Sequence, residues 1–310
     1  MKKTTLPNDG ERMVPELHKG TLLYAEHMTR YLMADPVIRN KAVLDIACGS
    51  GYGTHLMAKS AKKVYGVDLD KPTIDYANQY FSAPNIEYKL GDGINIPIDN
   101  SEIDVVITFE TIEHIKNYKK FMTEIKRVLK PGGIAIISTP NTEEFTKGNE
   151  FHEHEFKQNE LLDLSKEYFQ YVKPYYQATW AYAQISDEAF IKKEGSANVL
   201  VHNLMPLKPN KYLYFYFVCS DEPIKQNLQP LGGLGGHYSA RELDEIFKHY
   251  QKIIDDHKEV QAYIRKENKN LIKAHKELTA RITFLEAQLN SITKSNIYKI
   301  LRVASKLKKN

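Results

Sequence analysis

Three acids and two glycines carry the most chemical information in this sequence. The run Val43-Leu44-Asp45-Ile46-Ala47-Cys48-Gly49-Ser50-Gly51-Tyr52-Gly53-Thr54 puts Asp45 just ahead of a glycine turn. Gly49 and Gly51 let main chain approach a ligand more closely than a side chain would permit, and the helix opening behind them offers unsatisfied N–H groups. Asp45 would repel a pyrophosphate but attract a sulfonium or an ammonium. The G-x-G-x-x-G spacing of dinucleotide enzymes fails, because Thr54 stands where the third glycine is needed, and no Gly-Lys-Ser/Thr follows to make a Walker loop. Asp68 ends the next apolar run, where an acid can accept both hydroxyls of a ribose. Asp92, in Gly91-Asp92-Gly93, ends the run after that and is placed to accept from an adenine amino group. Three acids lining one crevice are costly unless each has a partner. A cationic, hydroxylated, amino-bearing nucleoside supplies all three.

The elements that must hold these residues are legible as an α/β alternation. Strands are expected at 42–46, 63–67, 86–90, 105–109 and 134–138, with helices at 54–60, 72–81 and 118–129 between them. Short β-rich runs, each followed by a helix, imply right-handed βαβ units and a parallel sheet. Lys130-Pro131-Gly132-Gly133 is expected to stop a helix and turn into the fifth strand. Two aromatic runs, 168–176 and 212–219, are the candidates for strands six and seven, and the insertion 180–209 has no readable period. The fold expected is a doubly wound, mostly parallel seven-stranded sheet over residues 41–230, preceded by a helical preface or lid at 1–40.

The glycine loop, Asp68, Gly91-Asp92-Gly93 and Leu129-Lys130-Pro131-Gly132-Gly133, in that order, resemble a class I S-adenosylmethionine-dependent methyltransferase. Ala47 stands where the family commonly has its first glycine. A further series narrows the resemblance: Glu11-Arg12-Met13-Val14-Pro15-Glu16, His27 with Arg30-Tyr31, Phe109-Glu110-Thr111-Ile112-Glu113-His114, Ser138-Thr139-Pro140-Asn141, and Phe151-His152 with Glu155-Phe156. It is similar to methyltransferase domains of bacterial surface-polysaccharide biosynthesis, including those that cap O-antigen chains, over roughly residues 10–170. The capping enzymes carry a kinase domain next; the residues after 170 are too few for one and lack its signatures.

The resemblance implies S-adenosyl-L-methionine as cofactor. It also implies contacts from Asp45, Ala47, Gly49 and Gly51 at the methionine end, Asp68 and Leu69 at the ribose, and Asp92 and Gly93 at the adenine. Phe109 and Glu110 would border the adenosine and the acceptor. Arg30 and Tyr31 would cover the cofactor from the preface helix, Arg30 pairing with its carboxylate. Methyl transfer from a sulfonium chiefly needs alignment and exclusion of water; a base helps only when the acceptor is a hydroxyl. His152 is the candidate base, since an imidazole titrates near neutrality, with Glu155 and His114 beside it. The run Phe151–Phe156 has the residue types of a metal cluster, but no further ligand stands at a recognised spacing, so no metal is expected.

Apolar residues recur at three and four from Leu243 to Ile292, which predicts a coiled coil over 238–293, with His257 and Glu267 as flaws in its seam. The loop 231–236 before it is a natural hinge. From Lys294 to Asn310 there are six basic residues and no acid. Ile297, Ile300, Leu301, Ala304 and Leu307 fall on one helical face opposite Lys299, Arg302, Lys306, Lys308 and Lys309, the pattern of a helix lying on an anionic membrane or an acidic partner. A net charge of +4 over 310 residues is too small for a general nucleic-acid binder. Two isolated cysteines, no signal-peptide core and no run near the ~20 apolar residues of a membrane span predict a cytoplasmic protein, attached at most to the inner face of the membrane. The expected partners are a glycan or lipid-linked glycan acceptor and a second copy through the coiled coil. A diffusible metabolite such as a quinone precursor is the alternative acceptor, and a coiled-coil scaffold with a degenerate methyltransferase fold is the non-enzyme alternative.

Overall fold

The computed structural model describes residues 12–144, 149, 151–179, 212–225, 228–231, 240–294 and 296–307. The insertion 180–209, the glycines of the expected hinge and residues 1–11 lie outside the described residues. The chain divides into two units, Met1–His237 and Tyr238–Asn310.

In the first unit α1 (Pro15–His18) and α2 (Leu22–Ile38) precede β1 (Ala42–Ile46), α3 (Tyr52–Met57), β2 (Lys63–Asp68), α4 (Lys71–Tyr80), β3 (Ile86–Leu90) and β4 (Ile103–Phe109). A 3₁₀ turn (Ile112–His114), α5 (Tyr118–Val128), β5 (Leu129–Pro140), α6 (Gln158–Tyr168), β6 (Tyr171–Gln177) and β7 (Tyr214–Ser220) follow. The strands form one sheet in the order β3-β2-β1-β4-β5-β7-β6. The first five pair in parallel, and β7 inserts antiparallel between β5 and β6. The expected doubly wound, mostly parallel seven-stranded fold is the fold found.

Successive residues of a strand point to opposite faces, and the central strands are apolar on both. Leu44, Val106, Ile137 and Phe217 pack with Phe121, Met122 and Ile125 of α5 and Leu161 of α6. Their neighbours Val43, Val105, Ile107, Ile136 and Val218 pack on the other face with Ala34, Val37 and Ile38 of α2 and Met57 of α3. Burial on both faces is what runs such as Val105-Val106-Ile107 signal. The topology reverses between β1 and β4, whose neighbours run outward on either side, and an open sheet binds ligands at the carboxyl ends of its strands at such a point.

Two expectations need correction. The aromatic run 168–176 is not one strand: Tyr168 ends α6 and the strand begins at Tyr171. Tyr168 is spent on the helix, where its hydroxyl donates to the Lys119 carbonyl. Lys130–Gly133 is not a turn before a strand but an irregularity inside β5, whose register against β4 jumps from Ile103↔Leu129 to Val105↔Ile134. Gly132 sits there at φ +72, and a Cβ on it would come within 2.7 Å of the Glu222 carboxyl group.

The second unit holds α7 (Ala240–Lys294), 55 residues long, and α8 (Asn296–Leu307). Among the described residues no helix is long and apolar enough to cross a membrane.

Candidate functional site

The glycine turn follows β1 directly. Ala47, Gly49 and Gly51 all take left-handed backbone, at φ +59, +54 and +88. Gly51 is the constrained one, because a Cβ there would meet the Ala77 Cβ and the Tyr88 hydroxyl at 2.7 Å. Ala47 adopts the same region with a side chain, at a cost of about 1–2 kcal/mol. The turn is tied to β2 by Cys48 N donating to the Val67 carbonyl at 3.0 Å and by Gly49 N donating to Asp68 Oδ2 at 2.9 Å. The other oxygen of Asp68 accepts from Asp70 N at 3.0 Å. Leu69, beside it, is 71% exposed. Asp92 is exposed and accepts from Ile94 N at 3.0 Å, and Gly93 packs near Phe121 and Ile115.

Asp45 is buried beneath the turn. It accepts from the Thr54 hydroxyl at 2.6 Å and, weakly, from the Tyr31 hydroxyl at 3.4 Å. Burial pushes its carboxyl up to about 7 against the pull of these two hydrogen bonds. Tyr31 also lies edge-on to Tyr52 and Phe109, with ring centroids at 5.6 and 5.0 Å. Tyr31 of the preface helix is thus placed beside Asp45 of β1 and against Phe109 at the end of β4.

Arg30, one residue before Tyr31, is fully buried. Its Nε donates to Gln177 Oε1 at 2.7 Å, its guanidinium lies 4.1 Å from the Tyr214 ring centroid, and it stands 3.7 Å from Glu110. Its two terminal nitrogens have no hydrogen-bond partner. Glu110 adopts φ +52 at the end of β4 and accepts from the Ser138 hydroxyl at 2.7 Å.

Beyond Glu110 the chain makes its 3₁₀ turn. Glu113 is 1% exposed; one carboxyl oxygen accepts from the Thr139 hydroxyl at 2.9 Å and the other has no partner. Burial, reinforced by Glu110, holds its carboxyl well above the usual range. Its backbone carbonyl accepts from Glu153 N and His154 N, which clamps the 151–156 segment onto the turn. His114 and His152 then meet edge to face with centroids at 5.0 Å. His114 Nδ1 donates to the Phe151 carbonyl at 2.9 Å; His152 Nε2 meets the Asn149 amide at 3.1 Å, and its Nδ1 lies 3.5 Å from Glu155. Glu155 also accepts from the Thr142 hydroxyl at 2.9 Å.

The sequence-predicted residues thus fall into two groups joined by Arg30, Tyr31, Phe109 and Glu110. Several residues beside them carry no sequence signal. Gln177 and Tyr214 lie on the two antiparallel strands and belong to no motif. Tyr52 pairs with His27 Nδ1 at 2.8 Å, and burial, with Arg30 nearby, pushes the His27 imidazole down to about 3. Arg12 and Met13, part of the early series, lie against the glycine turn: Ser50 Oγ donates to the Met13 carbonyl at 3.3 Å, and Arg12 Cγ is 3.9 Å from where a Gly49 Cβ would be.

A topology with one antiparallel strand inserted next to the last, and a glycine turn backed by acids on β1 and β2, is the arrangement expected from the resemblance to class I S-adenosylmethionine-dependent methyltransferases. Residues 44–137 match the family model described as a methyltransferase domain. A "probable S-adenosylmethionine-dependent methyltransferase" of Mycolicibacterium smegmatis is 33% identical over 166 residues, 52% of this chain and 64% of that protein. A ubiquinone biosynthesis O-methyltransferase of Coxiella burnetii is 27% identical over 49% of this chain and 66% of that protein. The chain thus spans a little under two thirds of these relatives. The solved YcgJ protein of Bacillus subtilis aligns with 64% of this chain at 18% identity and a TM-score of 0.47, all of that chain being covered.

S-adenosyl-L-methionine is the cofactor such a domain implies, and two observations fit it. The turn at Gly51 has no room for a side chain, and the buried Arg30 has two nitrogens free of hydrogen bonds, a fork suited to a carboxylate.

Proposed function

We propose that this chain is an S-adenosylmethionine-dependent O-methyltransferase acting on a sugar or sugar phosphate of a surface polysaccharide or its lipid-linked precursor. The observation that carries the donor half is the ordered placement of Asp45, the glycine turn, Asp68 and Asp92 at the ends of three neighbouring strands. When bound, S-adenosylmethionine supplies a methyl group already activated for displacement. Main chain at Gly49 and Gly51 would bear on its methionine part, Arg30 on its carboxylate, Asp68 and the exposed Leu69 on its ribose, and Asp92 on its adenine. Tyr31 and Phe109 keep water from the reacting region. Glu110, His114, His152 and Glu155 form the acceptor side, where a hydroxyl must be stripped of its proton.

The acceptor class rests on the sequence resemblance over residues 10–170 and on the basic C-terminal helix, which suits a lipid-borne substrate. Similarity to a ubiquinone biosynthesis O-methyltransferase favours a second reading, a quinone-precursor hydroxyl as acceptor. Calorimetry with S-adenosylmethionine tests the donor half, and the absence of any binding would favour the scaffold alternative. Label transfer from the methyl donor to purified surface glycan, with a catechol-type quinone precursor in parallel, decides between the acceptors.

We further propose that α7 pairs with a second copy and that α8 rests on an anionic membrane face. In support, Val260, Ile264, Leu271, Leu278, Ile282, Leu285, Leu289 and Ile292 recur at heptad spacing on α7 and are all exposed, as are Ile300 and Leu301 on α8. Light scattering should report a dimer that Leu278→Glu with Leu285→Glu converts to a monomer. Sedimentation with anionic vesicles should be lost when residues 294–310 are removed. A monomeric wild type, or unchanged sedimentation, would overturn the respective half.

A further inference from the structure

The junction of the 3₁₀ turn with the 151–156 segment brings together groups that the sequence holds 38 residues apart. One ligand atom from each of Glu113, His114 and His152 lies within 4.8 Å of the others. We infer that these three side chains are a binding site for a divalent transition-metal ion, with Zn²⁺ the best-matched probe.

The inference rests on partners that are missing. Glu113 is 1% exposed, yet one of its carboxyl oxygens has no hydrogen bond. Leaving such an oxygen desolvated is costly, and more so for a charged group. The His152 Nδ1 is also buried without a hydrogen bond; its nearest acid, Glu155, stands at 3.5 Å. His114 spends Nδ1 as a donor to the Phe151 carbonyl, which fixes its tautomer and leaves the Nε2 lone pair available. A backbone acceptor on the far nitrogen is how ligating histidines are held. The same logic covers Glu113, whose second oxygen is oriented by Thr139, and Glu155, oriented by Thr142. Two imidazoles and one carboxylate suit zinc, iron or nickel better than magnesium or calcium, which prefer oxygen alone. Three protein ligands leave a coordination position open.

Binding of the ion stands apart from the methyl-transfer reading. What it would do there rests on that reading: hold an acceptor oxygen and make its proton easier to lose, with His152 as a ligand rather than a free base.

The test uses the full chain, stripped with chelator and dialysed, then titrated with Zn²⁺ by calorimetry. Wild type should take up one Zn²⁺ per chain. His154→Ala, which changes a neighbouring histidine paired instead with Glu160, should match it. His114→Gln and His152→Gln should each weaken uptake at least about a hundredfold, since even an outer partner of a ligand is worth 10- to 100-fold. Glu113→Gln keeps an oxygen for Thr139 and should weaken uptake likewise. Calorimetry with S-adenosylmethionine on the same variants should be unaltered, which separates loss of this site from loss of the donor site. Should a variant not fold, pulsed EPR of Cu²⁺-loaded wild type should show coupling to two imidazole nitrogens. No uptake by wild type, equal uptake by the His114/His152 double variant, or no imidazole coupling overturns the inference.

Discussion

The two ends of the crevice are built on opposite plans. At the glycine turn every acid is already satisfied by its own neighbourhood: Asp45 by Thr54 and Tyr31, Asp68 by the amides of Gly49 and Asp70, Asp92 by the amide of Ile94. Around the 3₁₀ turn, Glu113 Oε1 and His152 Nδ1 are buried without a hydrogen bond, while Thr139 and Phe151 reach Glu113 and His114 from separate segments. The first region is a rigid cradle assembled from two adjacent strand ends. The second is a junction of several segments in which Glu113 Oε1 and His152 Nδ1 have no hydrogen bond. Arg30 sits between, braced by Gln177 and Tyr214 and 3.7 Å from Glu110, with neither terminal nitrogen hydrogen-bonded. On the methyl-transfer proposal this asymmetry is what a bisubstrate site would need, because an invariant donor can be met by fixed main chain, whereas the acceptor side must also change protonation.

The contrast breaks most severely at Gly51. Gly51→Val drives a branched side chain into Ala77 and Tyr88 from a left-handed backbone. A loss of about 2–5 kcal/mol in urea-monitored stability is expected, from strain and overpacking together, with no measurable donor binding. Donor affinity near wild type would show that the cradle is not where the cofactor lies. Arg30→Met sharpens the contrast. A charged hydrogen bond worth about 1.5–3 kcal/mol predicts a 10- to 100-fold weaker Kd for S-adenosylmethionine. An unchanged Kd with a raised acceptor KM would move Arg30 to the other side.

Asp45 gives the donor side a pH signature. Its folded-state carboxyl titrates at about 7, above its ordinary value of 3.8, so between these pH values the folded chain holds a proton that the unfolded chain has lost. That contribution to stability is full below about pH 4, falls as pH rises toward 7 and is gone above it. A cationic donor favours the ionised form, so its binding should expel the proton and tighten about tenfold per pH unit up to neutrality. Calorimetry across pH 5–8 reads this directly, and Asp45→Asn should flatten it; a flat wild-type profile would separate Asp45 from the donor's charges. The smallest change expected is at Ala47. Glycine there removes a left-handed side chain and costs chain entropy, for a net gain of about 0.5–1 kcal/mol in denaturation midpoint experiments.

Much of the cradle is legible in the sequence because its physics is local. Asp45, Gly49 and Gly51 lie within one strand–turn–helix, and Asp68 closes the very next strand. The positions of β1 to β4 were readable from apolar runs because those strands are buried on both faces. The aromatic run 168–176 misled, since Tyr and Phe are as content at the end of an amphipathic helix as in a strand. The Phe151–Phe156 run is arranged differently in space than along the chain. Its histidines and acids look like a cluster in one dimension, but His154 turns to Glu160 while His152 turns to His114.

By itself the sequence determined the alternation of strands and helices, the glycine turn and the acids behind it, because propensity, periodicity and backbone sterics act over a few residues. Only the tertiary structure decided that Gln177 and Tyr214 would brace Arg30, and that Glu113 and two histidines would converge with atoms left unpaired. Those relations depend on which segments the sheet order brings side by side, and no local pattern encodes the distance between residues that meet only after the chain has closed.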